Sequence, residues 1–451
     1  MASIAAALAR IKQDPLGAIR PAVVAALCEE LHYDDWRQRE LDPAVTVALF
    51  VQQIINGNVP CSEVRHLAQQ SFSASAWCQA RARLPLEVYQ GMLTRVCDAA
   101  LPHTHEERHL WHGHRTFHVD GSTFSMPDTP ELRRVFGTPH GPAAGCGFPT
   151  AHLLVMFNAA TGLLIDAAAS PLHTSDVSIA AGLHAHLDEG DILIGDDSFS
   201  GYAHIALLSQ AKLHALVPNH HLRIVDFTPG RAHTKLTGKN VVAGLPRSRW
   251  IKSLGKDDQL VQWFKPPTAP AWMSRQQYEA LPDSIIVREV RRVVRLGKRR
   301  RITVTLVTTL LDPLLYPADE LIDLRLRRWD VETNLRHLKT TMGLDVLRCK
   351  TETGVRKELA VFCLVYNLVR VVMLRAADRQ RVAVSRISFA DALHWMRHAR
   401  PRDRLPDLVI NPLRPNRVEP RCRKRRDKQY DLMNKPRRVL RKTLQTRSKS
   451  V

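Results

Sequence analysis

The 451-residue chain has few acidic residues for its number of basic ones, and it lacks the short motifs of several large enzyme classes. Its 44 Asp and Glu stand against 65 Lys and Arg, which gives a formal net charge of +21. A field of that sign indicates a polyanionic partner, nucleic acid first, with a ribosome-associated or merely basic protein as the alternative. The sequence has no Walker motif, glycine-rich dinucleotide fingerprint or Gly-x-Ser-x-Gly elbow, which argues against the chemistries that these motifs serve.

Paired cysteines and a long apolar run are also missing. None of the eight cysteines forms a Cys-x-x-Cys pair, which argues against a zinc ribbon or a dithiol redox site and suits a reducing cytosol. The most apolar stretch, Leu359 to Leu374, is short for a membrane span and contains Asn367 and Arg370, so we expect a buried helix. The first ten residues lack a basic region before their apolar run, so they do not read as a signal peptide.

Residues 1–105 are expected to form an all-α N-terminal domain that binds DNA. Pro43 to Asn56 is apolar at helical spacing, and a short helix capped by Ser62 follows it. A third helix, Ala76 to Leu84, is capped by Ser73 or Ser75 and ends before a proline. Short helices with a polar and basic last member resemble a helix-turn-helix, and a plain helical bundle is the alternative. In the first case three side chains of the last helix face DNA: Gln79, Arg81 and Arg83.

Residues 106–375 change to an α/β pattern. Three predicted strands, Thr116 to Asp120, Leu153 to Phe157 and Leu163 to Ala169, precede a predicted helix, Asp176 to Leu187, and a fourth strand, Asp191 to Ile194. Three antiparallel strands, a helix and a parallel strand form the order of the ribonuclease-H-like fold, although other α/β proteins begin similarly.

Two segments surround this pattern with positive charge. Residues 215–312 read as a β-rich insertion, and its Arg-rich run from Arg291 to Arg301 is either a DNA contact or a solvated basic hairpin. Residues 376–451 read as a helical region followed by a basic tail. The last 51 residues contain 17 Lys and Arg against 5 Asp and Glu, so we expect this tail to be extended until it lies on DNA.

Three carboxylates are placed where they could hold metal ions. Asp120 ends the first predicted strand, and Asp196 ends the fourth, which lies beside the first in this fold. Glu332 would reach both from a helix packed across the sheet. A two-metal site needs several carboxylates close together, and Mg²⁺ prefers such oxygen ligands. Asp197 is the alternative to Asp196 as the ligand.

The segment around Glu332 carries a regular series of cations. On one helix, at about 100° per residue, a single face would present Arg325, Arg328, Glu332, Arg336 and Lys339. A carboxylate among cations suits a site that holds a metal ion and a phosphate together. A surface helix with salt bridges is the alternative, but this face has almost no acidic partner besides Glu332.

These blocks resemble the insertion-sequence-4 family of bacterial DDE transposases. The resemblance rests on five segments in the family's order: Ser75 to Arg81, His118 to Thr123, Gly195 to Phe199, Arg328 to Lys339, and Gly343 to Thr351. The family's Tyr-Arg-Glu-Lys motif has the spacing of positions 325, 328, 332 and 339, and three of the four residues match. Arg325 replaces the tyrosine. Asp197 stands where relatives often have arginine.

The resemblance implies a ribonuclease-H-like core with a β-rich insertion before the glutamate, and cut-and-paste movement of DNA. It implies that Asp120, Asp196 and Glu332 are the catalytic residues and hold two Mg²⁺ ions, for which Mn²⁺ can substitute. DNA phosphates would contact the cations of the motif and of the following block: Arg325, Arg328, Arg336, Lys339, Arg348 and Lys350. The implied partners are terminal inverted repeats, target DNA and a second copy of the chain, in a cytoplasmic, nucleoid-associated setting without a membrane.

Two other functions share these residues. A transposase-derived regulator would bind DNA and be catalytically silent, whereas a nuclease would cut DNA without joining it. The intact set of Asp120, Asp196 and Glu332 favours an active transposase over the silent regulator.

Overall fold

The computed structural model describes most of the chain, and every structural statement below concerns the described residues. These are residues 20–33, 40–68, 71–139, 147–234, 244–296, 300–327, 329–398, 403–412, 439 and 442–443, with the backbone alone for 296, 300 and 329. Arg328 and most of the basic tail therefore lie outside the described residues, as do the middle residues of the Arg-rich run.

The described elements alternate between helices and strands after an all-helical beginning. The helices are α1 (Pro21–Glu30), α2 (Pro43–Ile55), α3 (Cys61–Ala68), α4 (Ala74–Arg83), α5 (Leu86–Thr104), α6 (Pro130–Phe136), α7 (Asp176–Leu183), α8 (Tyr202–Gln210), α9 (Arg275–Glu279), α10 (Ala318–Leu326), α11 (Trp329–Arg336), α12 (Glu352–Gln380) and α13 (Phe389–His398). The strands are β1 (Thr116–Ser125), β2 (Thr150–Asn158), β3 (Leu164–Pro171), β4 (Ile192–Ile194), β5 (His214–Pro218), β6 (Arg249–Gly255), β7 (Asp258–Phe264), β8 (Ser284–Leu296) and β9 (Arg300–Thr308). A π-helical turn, His337–Thr341, follows α11.

The strands form one sheet in the order β3-β2-β1-β4-β5-β9-β8-β7-β6. β1 to β3 pair antiparallel, whereas β4 is parallel to β1 and β5 is parallel to β4. This is the strand order and direction expected for a ribonuclease-H-like sheet. The strands of the predicted β-rich insertion extend the same sheet, because β9 pairs with β5 and thereby satisfies the backbone groups of an edge strand.

Helices cover both faces of the first part of the sheet. β2 is buried on both faces, as its continuous apolar run predicts. Phe117 and Val119 of β1 pack in a core with residues of α7 and α8. On the opposite face, Val155 of β2 packs in a core with residues of α11 and α12.

The N-terminal helices share this second core. Trp77 of α4 is fully buried, and Phe50 contacts both its ring and that of Tyr89. These rings belong to the same cluster as residues of α12. The side chain of Asn58 donates a 2.6 Å hydrogen bond to Glu358 of α12, which is buried. The described helices before residue 105 therefore do not have a core of their own.

α12 is the one described helix that is long and apolar enough to cross a membrane, and 94% of its most apolar window is buried inside the protein. Asn367 explains how a polar residue is tolerated there, because its side chain bonds the backbone nitrogen and oxygen of Leu164 at 2.8 and 2.7 Å. α12 is therefore a core helix, as expected for the stretch from Leu359 to Leu374.

Candidate active site

Asp120 lies in the middle of β1, and the expectation that it ends a strand is wrong. The Gly-Ser-Thr sequence that follows it looks like a turn, but β1 continues to Ser125 because β2 pairs with it along this whole length. On its other side β1 pairs with the short strand β4 only as far as His118. Asp120 is therefore half-buried just beyond the point where β1 and β4 separate.

Asp196 lies in the turn that follows β4, the strand next to β1. The last pair between β1 and β4 joins His118 and Ile194, and each aspartate is two residues further along the chain, Asp120 within β1 and Asp196 beyond the end of β4. Paired residues of neighbouring strands point to the same face, and so do residues two apart within a strand. The register therefore puts both aspartates at the same end of the β1–β4 pairing, the end that carries His118 and Ile194.

Asp196 and Asp197 have different partners. The Oδ1 atom of Asp196 accepts hydrogen bonds from the backbone nitrogen and the hydroxyl of Ser198, at 2.9 and 2.5 Å. No described residue donates a hydrogen bond to its Oδ2 atom, so this oxygen is available to a cation. The Oδ2 atom of Asp197 instead lies 3.5 Å from Nδ1 of His221.

The segment that carries Glu332 is not one helix from Arg325 to Lys339. α10 ends at Leu326 and α11 begins at Trp329. Arg325 therefore lies on a separate helix from Glu332, and the prediction of one helix from Arg325 to Lys339 is wrong. A helical pattern cannot reveal such a break, because the residues on both sides of it favour helices.

Glu332 is exposed on α11, which covers the face of the sheet that carries Asp120. Val331 and Leu335 of α11 are buried in the same core as Val155, the residue paired with Asp120. α11 also contacts β1 directly. These contacts bring the helix with Glu332 onto β1, the strand that carries Asp120.

Lys339 lies in the π-helical turn and is bound to β1. Its Nζ atom donates a 2.9 Å hydrogen bond to the hydroxyl of Ser122, two residues beyond Asp120 on the same face of the strand. Nζ also lies 3.3 Å from a carboxylate oxygen of Asp345. Gly343, with φ of +91°, ends the helical segment and turns the chain so that Asp345 returns to Lys339. π-helical turns are often found at functional sites.

His337, in the same turn, is held as a neutral ring. Burial lowers its pKa to about 3, and the charges of Arg370 and Arg336 lower it further. The ring stacks on Phe389 of α13, with 4.4 Å between centroids and 7° between the planes. The helix end that carries Lys339 is therefore packed on one side and bonded to β1 on the other.

The other predicted DNA contacts differ in their exposure. The side chains of Arg336, Arg348, Lys350, Gln79 and Arg83 are exposed. The prediction that Arg81 faces DNA is wrong. Its guanidinium turns inward and lies 4.7 Å from the centre of the Phe50 ring and 3.2 Å from the sulfur of Cys61. The helical spacing of α4 explains this inward position, because Arg81 follows Trp77 by about one turn and therefore lies on the same buried side of the helix.

The carboxylates fit hard divalent ions by their chemistry, since all three offer oxygen ligands. Their oxygens do not converge on a single point. Among the described residues one group of three possible ligands has its atoms within 4.8 Å of one another, and that group is Asp197, His220 and His221. His220, His221, Ser122 and Asp345 were not predicted from the sequence as site residues, because their partners lie on other elements. The one sequence feature that could have indicated the two histidines as metal ligands is their adjacent position just after a strand.

Comparisons with known proteins agree with this architecture. A family model described as a transposase DDE domain matches residues 111–368. Over 379 residues the chain is 26% identical to the transposase InsG for insertion sequence element IS4 of Escherichia coli strain K12, which covers 79% of this chain and 77% of that protein.

Two solved transposase structures align with the chain at low similarity. A piggyBac transposase synaptic complex with hairpin DNA is 9% identical with a TM-score of 0.41, covering 87% of this chain and 79% of that one. A Mos1 transposase paired-end complex with the left transposon end is 12% identical with a TM-score of 0.16, covering 40% of this chain and 60% of that one.

Proposed function

The chain belongs to the family of transposases with a DDE domain, and from this premise we propose that it acts as a transposase of the insertion-sequence-4 type. It would cut an insertion sequence at its terminal inverted repeats and join it to target DNA by two-metal-ion phosphoryl transfer. As a DDE transposase it is an enzyme that cleaves and transfers DNA strands. The observation that carries the proposal is the register of β1 and β4, which supports Asp120 and Asp196 as neighbours beneath the helix of Glu332.

Asp120, Asp196 and Glu332 would hold the two ions in this mechanism. Bound Mg²⁺ would supply an activated water or 3′-hydroxyl and would neutralise charge on the reacting phosphate. The three carboxylates contribute negative charge and oxygen ligands at a partly exposed surface that a DNA strand can approach. The hydrogen bonds from Ser198 hold the carboxylate of Asp196 in one orientation and leave Oδ2 available to the ion.

The cations around the carboxylates would hold the DNA backbone. Lys339 is the best positioned, because Ser122 fixes its ammonium on the strand that carries Asp120. Arg336, Arg348 and Lys350 are exposed and would bind further phosphates of the DNA backbone. Arg325 would bind, with its guanidinium, the phosphate that a tyrosine contacts in relatives.

DNA is the partner, and a second copy of the chain would act at the other end of the element. Cutting two terminal repeats in one event needs two active sites, so a homodimer on DNA is the simplest assembly. The exposed Gln79 and Arg83 of α4 would contribute to binding of the repeat, whereas Arg81 would hold α4 against α2 and α3.

The test is cleavage and joining of labelled DNA that carries the element's inverted repeats, with Mg²⁺. Cleavage followed by joining supports the proposal, cleavage alone indicates a nuclease, and binding alone indicates a silent regulator. Glu332→Gln should lower cleavage by about 10³-fold or more and keep DNA binding, because the amide is a poor ligand for the ion. Glu279→Gln, an exposed change on α9, is the matched control and should leave cleavage unchanged. Retained cleavage by Glu332→Gln would remove Glu332 from the site.

A further inference from the structure

We propose that Asp197, His220 and His221 form a binding site for a divalent transition-metal ion of the Zn²⁺ class, separate from the carboxylate site. One possible ligand atom from each of these residues lies within 4.8 Å of the other two. Asp196 contributes no atom to this group. The proposed site therefore does not use any of the three carboxylates assigned to strand cleavage.

The chemistry of the group selects the class of ion. Two imidazole nitrogens and one carboxylate oxygen suit Zn²⁺, Co²⁺ and Ni²⁺, whereas Mg²⁺ prefers oxygen ligands alone. Three protein ligands would leave at least one coordination position for water or another small ligand. The proposed site is thus selective against the ion expected at Asp120, Asp196 and Glu332.

The fold brings the three residues together at one edge of the sheet. Asp197 begins a short 3-10 turn directly after β4, and the two histidines follow β5, which is parallel to β4. The carboxyl ends of neighbouring parallel strands meet at the same edge, which is where open α/β sheets commonly bind ligands. The hydroxyl of Ser200 bonds the backbone oxygen of Asp197 at 2.8 Å and holds this turn.

The loop with the two histidines is anchored to the extension of the sheet. Arg231 bonds the backbone oxygen and hydroxyl of Ser248 at 2.7 and 2.9 Å. Gln259 and Arg291 bond the backbone oxygens of Asp226 and Val225, at 3.0 and 3.2 Å. These bonds fix residues 225, 226 and 231, which follow the two histidines, so an ion would have less of this segment to order, which favours binding.

The side chains have weak partners that an ion can replace. Nδ1 of His221 lies 3.5 Å from Asp197, and Nδ1 of His220 accepts a 3.2 Å hydrogen bond from the backbone of Leu222. Binding through Nε2 of His220 would place the proton on Nδ1 and exchange this long hydrogen bond for a metal–nitrogen bond. A cavity of about 510 Å³ lined by Asp197, His220 and Tyr202 gives the remaining coordination positions room for water.

The experiment titrates the full chain with Zn²⁺ by calorimetry and with Co²⁺ by absorption spectroscopy, without DNA. It therefore does not depend on the proposed transposition activity. His220→Ala and His221→Ala should each weaken binding at this site by about tenfold or more, since each removes a ligand. Two controls should retain it: His233→Ala, from the same loop, and Glu332→Gln, from the carboxylate site.

Binding that is unchanged in His221→Ala, or that is lost only in Glu332→Gln, would overturn the proposal, as would a wild-type protein that binds neither ion. Circular dichroism checks that the variants are folded. Modification of the wild-type protein by diethyl pyrocarbonate is a second measurement that needs no variant. Zn²⁺ should protect His220 and His221 but not His233, and equal modification of all three would refute the site.

Discussion

A buried ion pair in the extension of the sheet contrasts with two carboxylates of the candidate active site. In the extension, Arg288 of β8 is fully buried and pairs with Asp258 of β7 through two bonds, of 2.8 and 2.6 Å. In the part with the candidate active site, Asp120 is half-buried and Glu332 is exposed. A buried charge needs a partner to be tolerated, whereas an exposed carboxylate stays in contact with solvent. The buried pair in the extension therefore stabilises the fold, and the two carboxylates of the candidate active site lie where solvent reaches them.

Replacing Asp196 should give the largest effect on function and little effect on stability. Asp196→Asn should lower strand cleavage by about 10³-fold or more, because an amide binds Mg²⁺ weakly. The same change at the neighbouring residue, Asp197→Asn, is the control. It should lower strand cleavage less than tenfold, because the carboxylate of Asp197 faces His221. Cleavage rates under single-turnover conditions measure both. The reverse order would assign the second aspartate of the site to Asp197.

Replacing Arg288 should give the largest effect on stability. Arg288→Met leaves Asp258 buried without its ion pair, which should lower the free energy of unfolding by about 3–5 kcal/mol. Denaturant unfolding measures the change. The double change Arg288→Met with Asp258→Asn should recover part of the loss, because it also removes the buried charge. A loss below about 1 kcal/mol would mean that solvent reaches the pair, and the contrast between the two parts of the sheet would fail.

Replacing Asp345 should have a moderate effect on catalysis. Asp345→Asn removes a partly exposed ion pair with Lys339, so cleavage should fall roughly two- to fivefold as the ammonium becomes less ordered. The decrease should be in the rate of cleavage rather than in DNA affinity. Asp323→Asn, an exposed change on α10, is the control. Faster cleavage by Asp345→Asn would mean instead that Asp345 competes with phosphate for Lys339.

The smallest effect should come from the pH dependence of Glu289. Burial raises the pKa of this carboxyl above its usual 4.5, although bonds from Gln259 and Trp263 favour the charged form. The folded state then holds the proton more tightly than the unfolded state, so this group's contribution to stability is present below pH 4.5 and is lost as the pH rises through the folded pKa. As the pH rises, the free energy of unfolding of the Glu289→Gln variant should therefore increase relative to that of the wild type. A constant difference would contradict this.

The order of the first strands could be predicted from the sequence, whereas the shared metal site of Asp120 and Asp196 stays a prediction. Apolar runs separated by turn residues located β2, β3 and β4, and the α/β order placed the first and fourth strands together. These features depend on local pattern, which the sequence contains directly.

Features that depend on contacts between distant residues were not predictable. β1 continues through Gly121 and Ser122 because β2 pairs with them, although these residues favour turns. The inward position of Arg81 depends on the rings of Phe50 and Trp77, and the position of Lys339 depends on Ser122, 217 residues earlier. The role of β9 in extending the central sheet also required the three-dimensional pairing with β5.

The dependence of the N-terminal helices on α12 has a consequence for synthesis on the ribosome. Asn58 leaves the exit tunnel 300 residues before its partner Glu358. The apolar faces of α2 and α5 also pack against α12, so they stay uncovered until α12 has been synthesised. At roughly 5–20 residues per second this delay is about 15–60 s. During that time the nascent chain exposes apolar surface that a chaperone can bind. Chaperone supply and translation speed should therefore limit how much of this protein a cell can accumulate.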